Sequence, residues 1–131
     1  MLRVLIADDH RFVRRGLRRL LDSQEWIKVV GEAKDGEQTL ELTGELKPDL
    51  LILDLSMPRM SGLDVLKRLR EWVHRPAVIV LSMSNSADLK QEAAWAGADV
   101  FLTKGGAVEE LLRTIREVAG KSRLPVSGKE T

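Results

Sequence analysis

LLILDLSMPRMSG, residues 50–62, contains an unbroken apolar run that stops at Asp54. Short runs without a polar residue on either face are typical of strands in a parallel sheet that is covered on both sides. The run at residues 50–55 is one of five short hydrophobic runs, several of them without a polar residue on either face, and the others occupy residues 2–7, 27–30, 77–81 and 100–102. The sequence therefore predicts five buried strands, of which residues 50–55 form the third.

Longer segments with apolar residues three or four apart separate these runs, and that period is typical of helices that pack one face on a sheet. They lie at residues 12–21, 38–46, 63–73, 89–96 and 108–118. The alternation of strand and helix predicts a single α/β domain over residues 1–120. Residues 121–131 become polar and include a proline and a glycine, which predicts a tail or a truncated linker.

The composition excludes several classes of function. The 131 residues include 21 basic and 20 acidic side chains, and the net charge of +1 predicts no general attraction to nucleic acids or membranes. Cysteine is absent, which excludes disulfides, thiolate metal sites and a thiol nucleophile. The first apolar run is too short for a signal peptide or a membrane span, so we expect a cytoplasmic protein.

Side chains that can perform chemistry lie at or just after the ends of four of the five predicted strands, and the second strand offers nothing comparable. They are Asp8 and Asp9 after the first strand, Asp54 after the third, Ser82 after the fourth and Lys104 after the fifth. In an open parallel sheet, ligands bind beyond the carboxyl ends of the strands. We therefore expect these five residues to meet at one edge.

Three carboxylates at one edge repel one another unless a cation neutralises them. Oxygen ligands of this kind suit Mg²⁺, which often binds beside phosphate. Lys104 and Ser82 offer a positive charge and a hydroxyl donor for phosphoryl oxygens. With Asp54 as the nucleophile, the residues predict a phosphoryl-transfer site that uses Mg²⁺ as its cofactor.

Four segments resemble, in order and spacing, the signature segments of the response-regulator receiver domains of two-component signalling. They are LRVLIADDH (residues 2–10), LLILDLSMPRMSG (50–62), VIVLS (78–82) and ADVFLTK (98–104). DDHRFVRRGLRRLL (8–21) and AWAGADVFLTK (94–104) most resemble the subfamily whose receivers precede a LuxR-type helix-turn-helix. The resemblance implies a flavodoxin-like, three-layer, doubly wound sheet of five parallel strands in the order 2-1-3-4-5.

The same resemblance implies roles for the acidic residues. Asp54 would be the phosphoacceptor. Asp9 and Asp54 would bind Mg²⁺ directly, together with the main-chain carbonyl of Ser56, and Asp8 would act mainly through a coordinated water.

Around the phosphoryl group, the resemblance implies that Ser82 and Lys104 bind it and that Phe101 changes rotamer with Ser82 as a switch. The chain departs from the family at two positions. Gly105 replaces the proline that usually follows the lysine, so the preference for a cis bond largely disappears and a more mobile loop is expected. Met83 replaces a small residue after Ser82, which predicts a narrower approach to Asp54 and slower phosphotransfer or phosphate loss.

Three residues admit two interpretations each. Phe101 is either a core residue of a short strand or the switch aromatic. His10 follows the acidic pair and is interpreted as packing or hydrogen-bonded support more readily than as a base or a metal ligand. Trp95 lies off the apolar line of its helix, so we expect it not to be fully buried, and an output or dimer interface is the hypothesis there.

The first predicted helix has an apolar face, on which Phe12 is included, and an arginine face. The arginines are Arg11, Arg14, Arg15, Arg18 and Arg19. The first interpretation of this arginine face is a solvated surface, and the second is recognition of the sensor kinase, which docks against this helix in the family. Direct binding of nucleic acid is the least favoured, because the net charge is close to zero.

The leading hypothesis is a receiver that is not an enzyme, takes a phosphoryl group from a sensor histidine kinase and switches an output. Transcription regulation through a DNA-binding domain outside this chain is expected, with a homodimer on phosphorylation. A single-domain regulator acting by protein contact, or a binding module that has lost phosphorylation, is an alternative. A haloacid-dehalogenase-like phosphatase is disfavoured, because Ser56 occupies the position of its second aspartate.

Overall fold

The computed structural model describes residues 1–121, and its five strands form one parallel sheet. The strands are β1 (Leu2–Ala7), β2 (Ile27–Ala33), β3 (Leu50–Asp54), β4 (Ala77–Ser82) and β5 (Val100–Thr103). The helices are α1 (Arg11–Asp22), α2 (Gly36–Leu46), α3 (Gly62–Leu69), α4 (Ala87–Ala96) and α5 (Val108–Lys121). Because the strand order is β2-β1-β3-β4-β5, the flavodoxin-like fold expected from the resemblance is confirmed.

The sheet separates two apolar cores, which explains why β3 contains no polar residue before its end. Leu50 and Ile52 belong to the core covered by α1 and α5. Leu51 and Leu53 belong to the core covered by α2, α3 and α4. Since successive side chains of a strand point to opposite faces, a strand covered on both sides must be apolar at every position.

Three helices begin at a side chain that accepts a hydrogen bond from the first helical turn. These caps are Asp35 before α2, Ser61 before α3 and Ser86 before α4. Each cap satisfies a backbone N–H that has no partner within the helix. The caps therefore fix where the loops after β2, β3 and β4 end, and these loops surround the carboxyl edge of the sheet.

The third helix is shorter than the sequence predicts. It ends at Leu69 instead of residue 73, because the amides of Glu71 and Trp72 donate to carbonyls three residues earlier, which tightens the chain into turns. Val73 is 88% exposed. The apolar pattern continues past the helix because Trp72 still packs against the core.

The second strand is longer than predicted, since it continues from residue 30 to Ala33. Its pairing with β1 persists after a shift of register between Val4 and Leu5. The strand lies at the edge of the sheet, where a polar residue is tolerated, and so Glu32 interrupts the apolar run without ending the strand.

The last helix, α5, extends through Lys121, one residue into the segment predicted as tail or linker. Residues 122–131, the rest of that segment, lie outside the described residues. No helix within residues 1–121 combines the length and the apolar character needed to cross a membrane.

Gly62, the first residue of α3, is a position where the backbone approaches too closely for a side chain. A Cβ there would lie 2.5 Å from the carbonyl oxygen of Asp54 and 2.6 Å from the Cα of Leu55. We expect Gly62→Ala to lower the free energy of unfolding by about 1–3 kcal/mol.

Gly16 in α1 is the matched control, because an added Cβ there meets no atom within 4 Å. Gly16→Ala should raise the free energy of unfolding by about 0.5–1 kcal/mol, since alanine loses less entropy than glycine in a helix. Urea denaturation measures both variants, and effects of the same sign would contradict the packing argument.

Candidate functional site

Three of the predicted site residues meet at the carboxyl edge of the sheet. Asp8 follows β1, Asp54 ends β3 with only 3% of its surface exposed, and Lys104 follows β5. The Lys104 Nζ lies 2.7 Å from Asp8 Oδ2 and 3.5 Å from Asp54 Oδ2. The strand order places β3 beside β1 and one strand away from β5, which brings residues 96 positions apart in sequence into one ion-pair cluster.

Asp9 and His10 complete the acidic side of the cluster. His10 Nδ1 lies 3.0 Å from Asp8 Oδ1 and 3.1 Å from Asp9 Oδ1, and its backbone N–H donates to Asp8 Oδ1 at 2.8 Å. These contacts agree with the interpretation of His10 as hydrogen-bonded support. One ligand atom from each of Asp8, Asp9, His10 and Asp54 lies within 4.8 Å of the others, so the group has the dimensions of a metal site.

The two carboxylate oxygens of Asp54 have different surroundings. Asp54 Oδ1 accepts a hydrogen bond from the backbone N–H of Ser56 at 3.2 Å. Asp54 Oδ2 is buried without a hydrogen-bond partner among the described residues. A buried carboxylate oxygen without a partner is costly, and a hard cation with oxygen ligands satisfies it. The residues present therefore fit Mg²⁺. That the main-chain carbonyl of Ser56 is also a ligand stays a prediction.

Burial raises the pKa of Asp54 from 3.8 to about 6. That value already includes the neighbouring charge of Asp8, which also raises the pKa, and the ammonium of Lys104 and the amide of Ser56, which lower it. The cause is that a buried carboxylate loses its hydration and faces a second carboxylate. Without a bound metal ion, the surroundings of Asp54 thus disfavour its ionised form.

Ser82 and Phe101 lie on the neighbouring strands β4 and β5, and Ser82 is the last residue of β4. Ser82 is buried, its Oγ accepts the amide of Ser84 at 3.1 Å, and its carbonyl accepts the amide of Lys104 at 2.7 Å. Phe101 is partly buried, with the Lys90 Nζ 6.0 Å from its ring centre. Phe101 is thus neither a fully buried core residue nor a solvated one, and its switch role stays a prediction.

The prediction that the arginine face of α1 is solvated is wrong for Arg14, whereas the side chain of Arg18 is 43% exposed although it too forms an ion pair. Arg14 donates from Nη1 to the carbonyl oxygen of Asp8 at 2.7 Å and from Nε to Glu32 at 3.1 Å, and its side chain is only 15% exposed. Arg18 Nη1 donates to the other oxygen of Glu32 at 2.8 Å. Hydrogen bonding by Arg18 lowers the pKa of Glu32.

Glu32 is a residue that the sequence failed to identify, because the second predicted strand ended before it. The only available signal was a lone acidic residue close to that strand, opposite a helix rich in arginine. Its partners lie 14 and 18 positions away in sequence, and this pairing depends on how α1 packs beside β2.

An apolar groove of about 400 Å³ opens beside Lys104, between α1 and the start of α5. Phe12, Met83 and Val108 line it and are exposed. Phe12, which the sequence places on the apolar face of α1, is 83% exposed. Met83 belongs to this groove, and its effect on phosphotransfer stays a prediction.

Two further expectations concern Gly105 and Trp95. Gly105 has a φ of 88°, a conformation that favours glycine, and residues 1–121 contain no cis peptide bond. Trp95 is 74% exposed on α4, as expected for a residue off the apolar line, and its role as an interface stays a prediction.

A parallel sheet of this order, with buried carboxylates and a lysine at its carboxyl edge, defines a flavodoxin-like domain with an acidic site at that edge. Residues 4–116 match the family described as the response regulator receiver domain, and the chain belongs to this family.

Known relatives agree with this membership. The chain is 41% identical over 116 residues to the nitrate/nitrite response regulator protein NarL of Escherichia coli K12, an alignment that covers 88% of this chain and 54% of NarL. The structure of the signal receiver domain of the putative NarL from Mycobacterium tuberculosis has a TM-score of 0.88 at 32% identity, and covers 92% of this chain and 98% of that one.

A chain of the CheX-CheY-BeF3-Mg²⁺ complex from Borrelia burgdorferi has a TM-score of 0.80 at 27% identity, and the match covers 89% of this chain and 88% of that one. The chain spans about half the length of the curated relatives it matches, such as the NarL of Escherichia coli. The similarity to these relatives is therefore a similarity of receiver domains.

In the metal-free protein, Asp54 should make stability depend on pH. Because the pKa of Asp54 is higher in the folded chain, at about 6, than its ordinary 3.8, the folded state binds the proton more tightly than the unfolded state. The contribution of Asp54 to the free energy of unfolding should fall as the pH rises from about 4 to about 6 and then level off.

Asp54→Asn removes this penalty, so we expect it to raise the free energy of unfolding above pH 6 by on the order of 2 kcal/mol. The gain should shrink towards zero near pH 4, where the aspartate is protonated in both states, roughly as linkage requires. Urea denaturation in the presence of EDTA across this pH range measures it. A gain of constant size would contradict the raised pKa.

Proposed function

We propose that the chain is a phosphorylation switch, in which Asp54 accepts a phosphoryl group from a sensor histidine kinase with Mg²⁺ bound at the acidic edge. The observation that supports this proposal most is the buried Oδ2 of Asp54, which accepts no hydrogen bond from the described residues and lies 3.5 Å from the ammonium of Lys104. A nucleophile needs an oxygen that is free of hydrogen bonds and close to groups that stabilise the transferred charge.

The acidic residues and Lys104 divide the work of phosphoryl transfer in this proposal. Asp54 attacks phosphorus, an O–P bond forms, and the P–N bond to the donor histidine breaks as the electron pair leaves with the imidazole. Asp8, Asp9, Asp54 and the Ser56 carbonyl would hold Mg²⁺, which neutralises charge on the phosphoryl oxygens when bound. The ammonium of Lys104 and the hydroxyl of Ser82 bind the other oxygens.

The switch follows from the contacts that the phosphoryl group would change. Ser82 Oγ now accepts the amide of Ser84, and Lys104 is paired with Asp8. A phosphoryl group on Asp54 offers both residues a stronger partner, which favours the arrangement in which they reach it. Movement of Ser82 would let Phe101 change rotamer, and the altered surface of α4, β5 and α5 signals the state.

The output that we propose is transcription regulation through a DNA-binding domain outside this chain. It is supported by the 41% identity to NarL of Escherichia coli, a response regulator about twice as long as the match. A homodimer formed on phosphorylation, with Trp95 at the contact, agrees with the exposure of that side chain.

Rapid hydrolysis of the phosphoryl group on Asp54 is not expected, because Ser56 is not an acid or a base near neutral pH.

Phosphorylation of Asp54 can be tested without the kinase. Incubation with Mg²⁺ and acetyl phosphate should add one phosphoryl group to the chain, as intact mass spectrometry measures, because the site holds the nucleophile and the charges that the reaction needs. EDTA should prevent the addition, and Asp54→Asn should abolish it. An equal adduct on the Asp54→Asn variant would contradict the proposal.

The apolar groove beside Lys104 is the surface that we assign to the kinase. A phosphohistidine can reach Asp54 only if its protein covers the surroundings of the site, and Phe12 and Val108 line a groove that reaches Lys104. Arg11, Arg15 and Arg19 are exposed on the adjoining helix and form no ion pair with other described residues. The partner surface should therefore combine apolar with acidic side chains.

Phe12→Ala should slow phosphotransfer from a phosphorylated histidine kinase by about tenfold, because it removes a large apolar contact at the centre of the interface. Labelling by acetyl phosphate should stay unchanged. Val73→Ala is the control, since Val73 is 88% exposed but remote from the groove. Radiolabel transfer measures the rate, and equal rates for Phe12→Ala and Val73→Ala would refute the assignment.

A further inference from the structure

Arg14 links the first helix to the backbone of the acidic edge. We propose that Arg14 is a positioning residue of the cation site, which orients the peptide between Asp8 and Asp9 so that both carboxylates face the same ion as Asp54. This inference rests on the proposed function, and it concerns a side chain that touches neither the cation nor the phosphoryl group.

The first step is that the backbone of Asp8 is held on both sides. Its N–H donates to the carbonyl of Ala33 on β2 at 3.0 Å, and its carbonyl accepts Arg14 Nη1 at 2.7 Å. A peptide unit is planar, so fixing the direction of the Asp8 carbonyl also fixes the direction of the Asp9 N–H and Cα. Arg14 therefore determines how the chain leaves β1.

The second step concerns Asp9, whose position depends on this peptide. Asp9 is the second residue after β1, and its carboxylate has only His10 as an ion-pair partner among the described residues. Asp8, by contrast, is buried and is paired with Lys104 and His10. Misorientation of the peptide would thus move Asp9 first, and Asp9 is a proposed direct ligand of Mg²⁺.

The third step is that Arg14 is itself fixed. Its Nε donates to Glu32, which lies on β2 opposite Ile6 of β1, and Glu32 also accepts Arg18. The guanidinium is a planar fork with several donors, so it can bond Glu32 and the Asp8 carbonyl at the same time. A lysine ammonium at the end of a flexible stem lacks this geometry.

Arg18 provides a matched control within the same cluster. It donates to Glu32 as Arg14 does, and it lies one turn further along α1, but it has no hydrogen bond to Asp8. Loss of Arg18 weakens the contact between α1 and β2 while leaving the Asp8 carbonyl bonded to Arg14. A purely structural role of the cluster would make the two arginines equivalent.

The experiment compares Arg14→Met, Arg18→Met and Arg14→Lys in the full chain. Mg²⁺ affinity is measured by NMR titration, the Asp9 amide shift is recorded in EDTA, and the free energy of unfolding comes from urea denaturation. We expect Arg14→Met to weaken Mg²⁺ binding by about tenfold, the lower end of the effect of removing a group that orients a metal ligand. Arg18→Met should stay within about twofold of the native chain on the same scale.

Two further readouts separate positioning from stability. The Asp9 amide should shift in metal-free Arg14→Met and not in Arg18→Met, and Arg14→Lys should not restore Mg²⁺ affinity. Acetyl phosphate labelling of Arg14→Met should need about tenfold more Mg²⁺ for half of the maximal rate, while the maximal rate at saturation stays within about twofold.

Native Mg²⁺ affinity in Arg14→Met, or equal losses in Arg14→Met and Arg18→Met, would overturn the positioning role alone. Failure of the native chain itself to bind Mg²⁺ would overturn both this role and the cation site of the proposed function. If the native chain binds Mg²⁺ but acetyl phosphate does not label it, the phosphoacceptor proposal is overturned. The Mg²⁺ affinities of Arg14→Met and Arg18→Met would then still decide whether Arg14 is a positioning residue.

Discussion

The repulsion between the buried carboxylates of Asp8 and Asp54 is the constraint on which the rest of the site depends. Two carboxylates at this depth can both be ionised only with a compensating positive charge. In the metal-free chain Lys104 fills that place, at 2.7 Å from Asp8 and 3.5 Å from Asp54, and the pKa of Asp54 still rises to about 6. Folding brings these carboxylates together against their repulsion, and this repulsion favours the binding of an additional positive charge at the carboxyl edge of the sheet.

The unequal distances of Lys104 have a consequence for switching. Its ammonium lies closer to Asp8 than to Asp54, so Asp54 Oδ2 has an ion-pair neighbour but no hydrogen bond among the described residues. In the proposed function, a cation shared by Asp8 and Asp9 would relieve Asp8, and Lys104 would then be available to a phosphoryl group on Asp54. Cation binding and phosphoryl binding would favour each other, because the cation would replace Lys104 as the partner of Asp8 and Lys104 would then pair with the phosphoryl group.

The sequence predicted the sheet and the convergence of Asp8, Asp54 and Lys104, because the spacing of apolar residues and the polar residues at strand ends are local signals. The strand order was predicted from the resemblance to the family. It did not predict the end of α3 or the exposure of Phe12, since an apolar residue has the same pattern whether it packs inside or lines a groove. The contact of Arg14 with Glu32 was also missed, because it depends on how a helix lies beside an edge strand.

The two faces of α1 have different surroundings. Arg14 and Arg18 face β2 and are fixed by Glu32, whereas Phe12 and Arg15 are exposed. A partner docked on the exposed residues would contact the same helix from which Arg14 donates to the Asp8 carbonyl. In the proposed function, kinase contact and cation geometry would thus be coupled through one rigid element, and α1 would do more than cover the core.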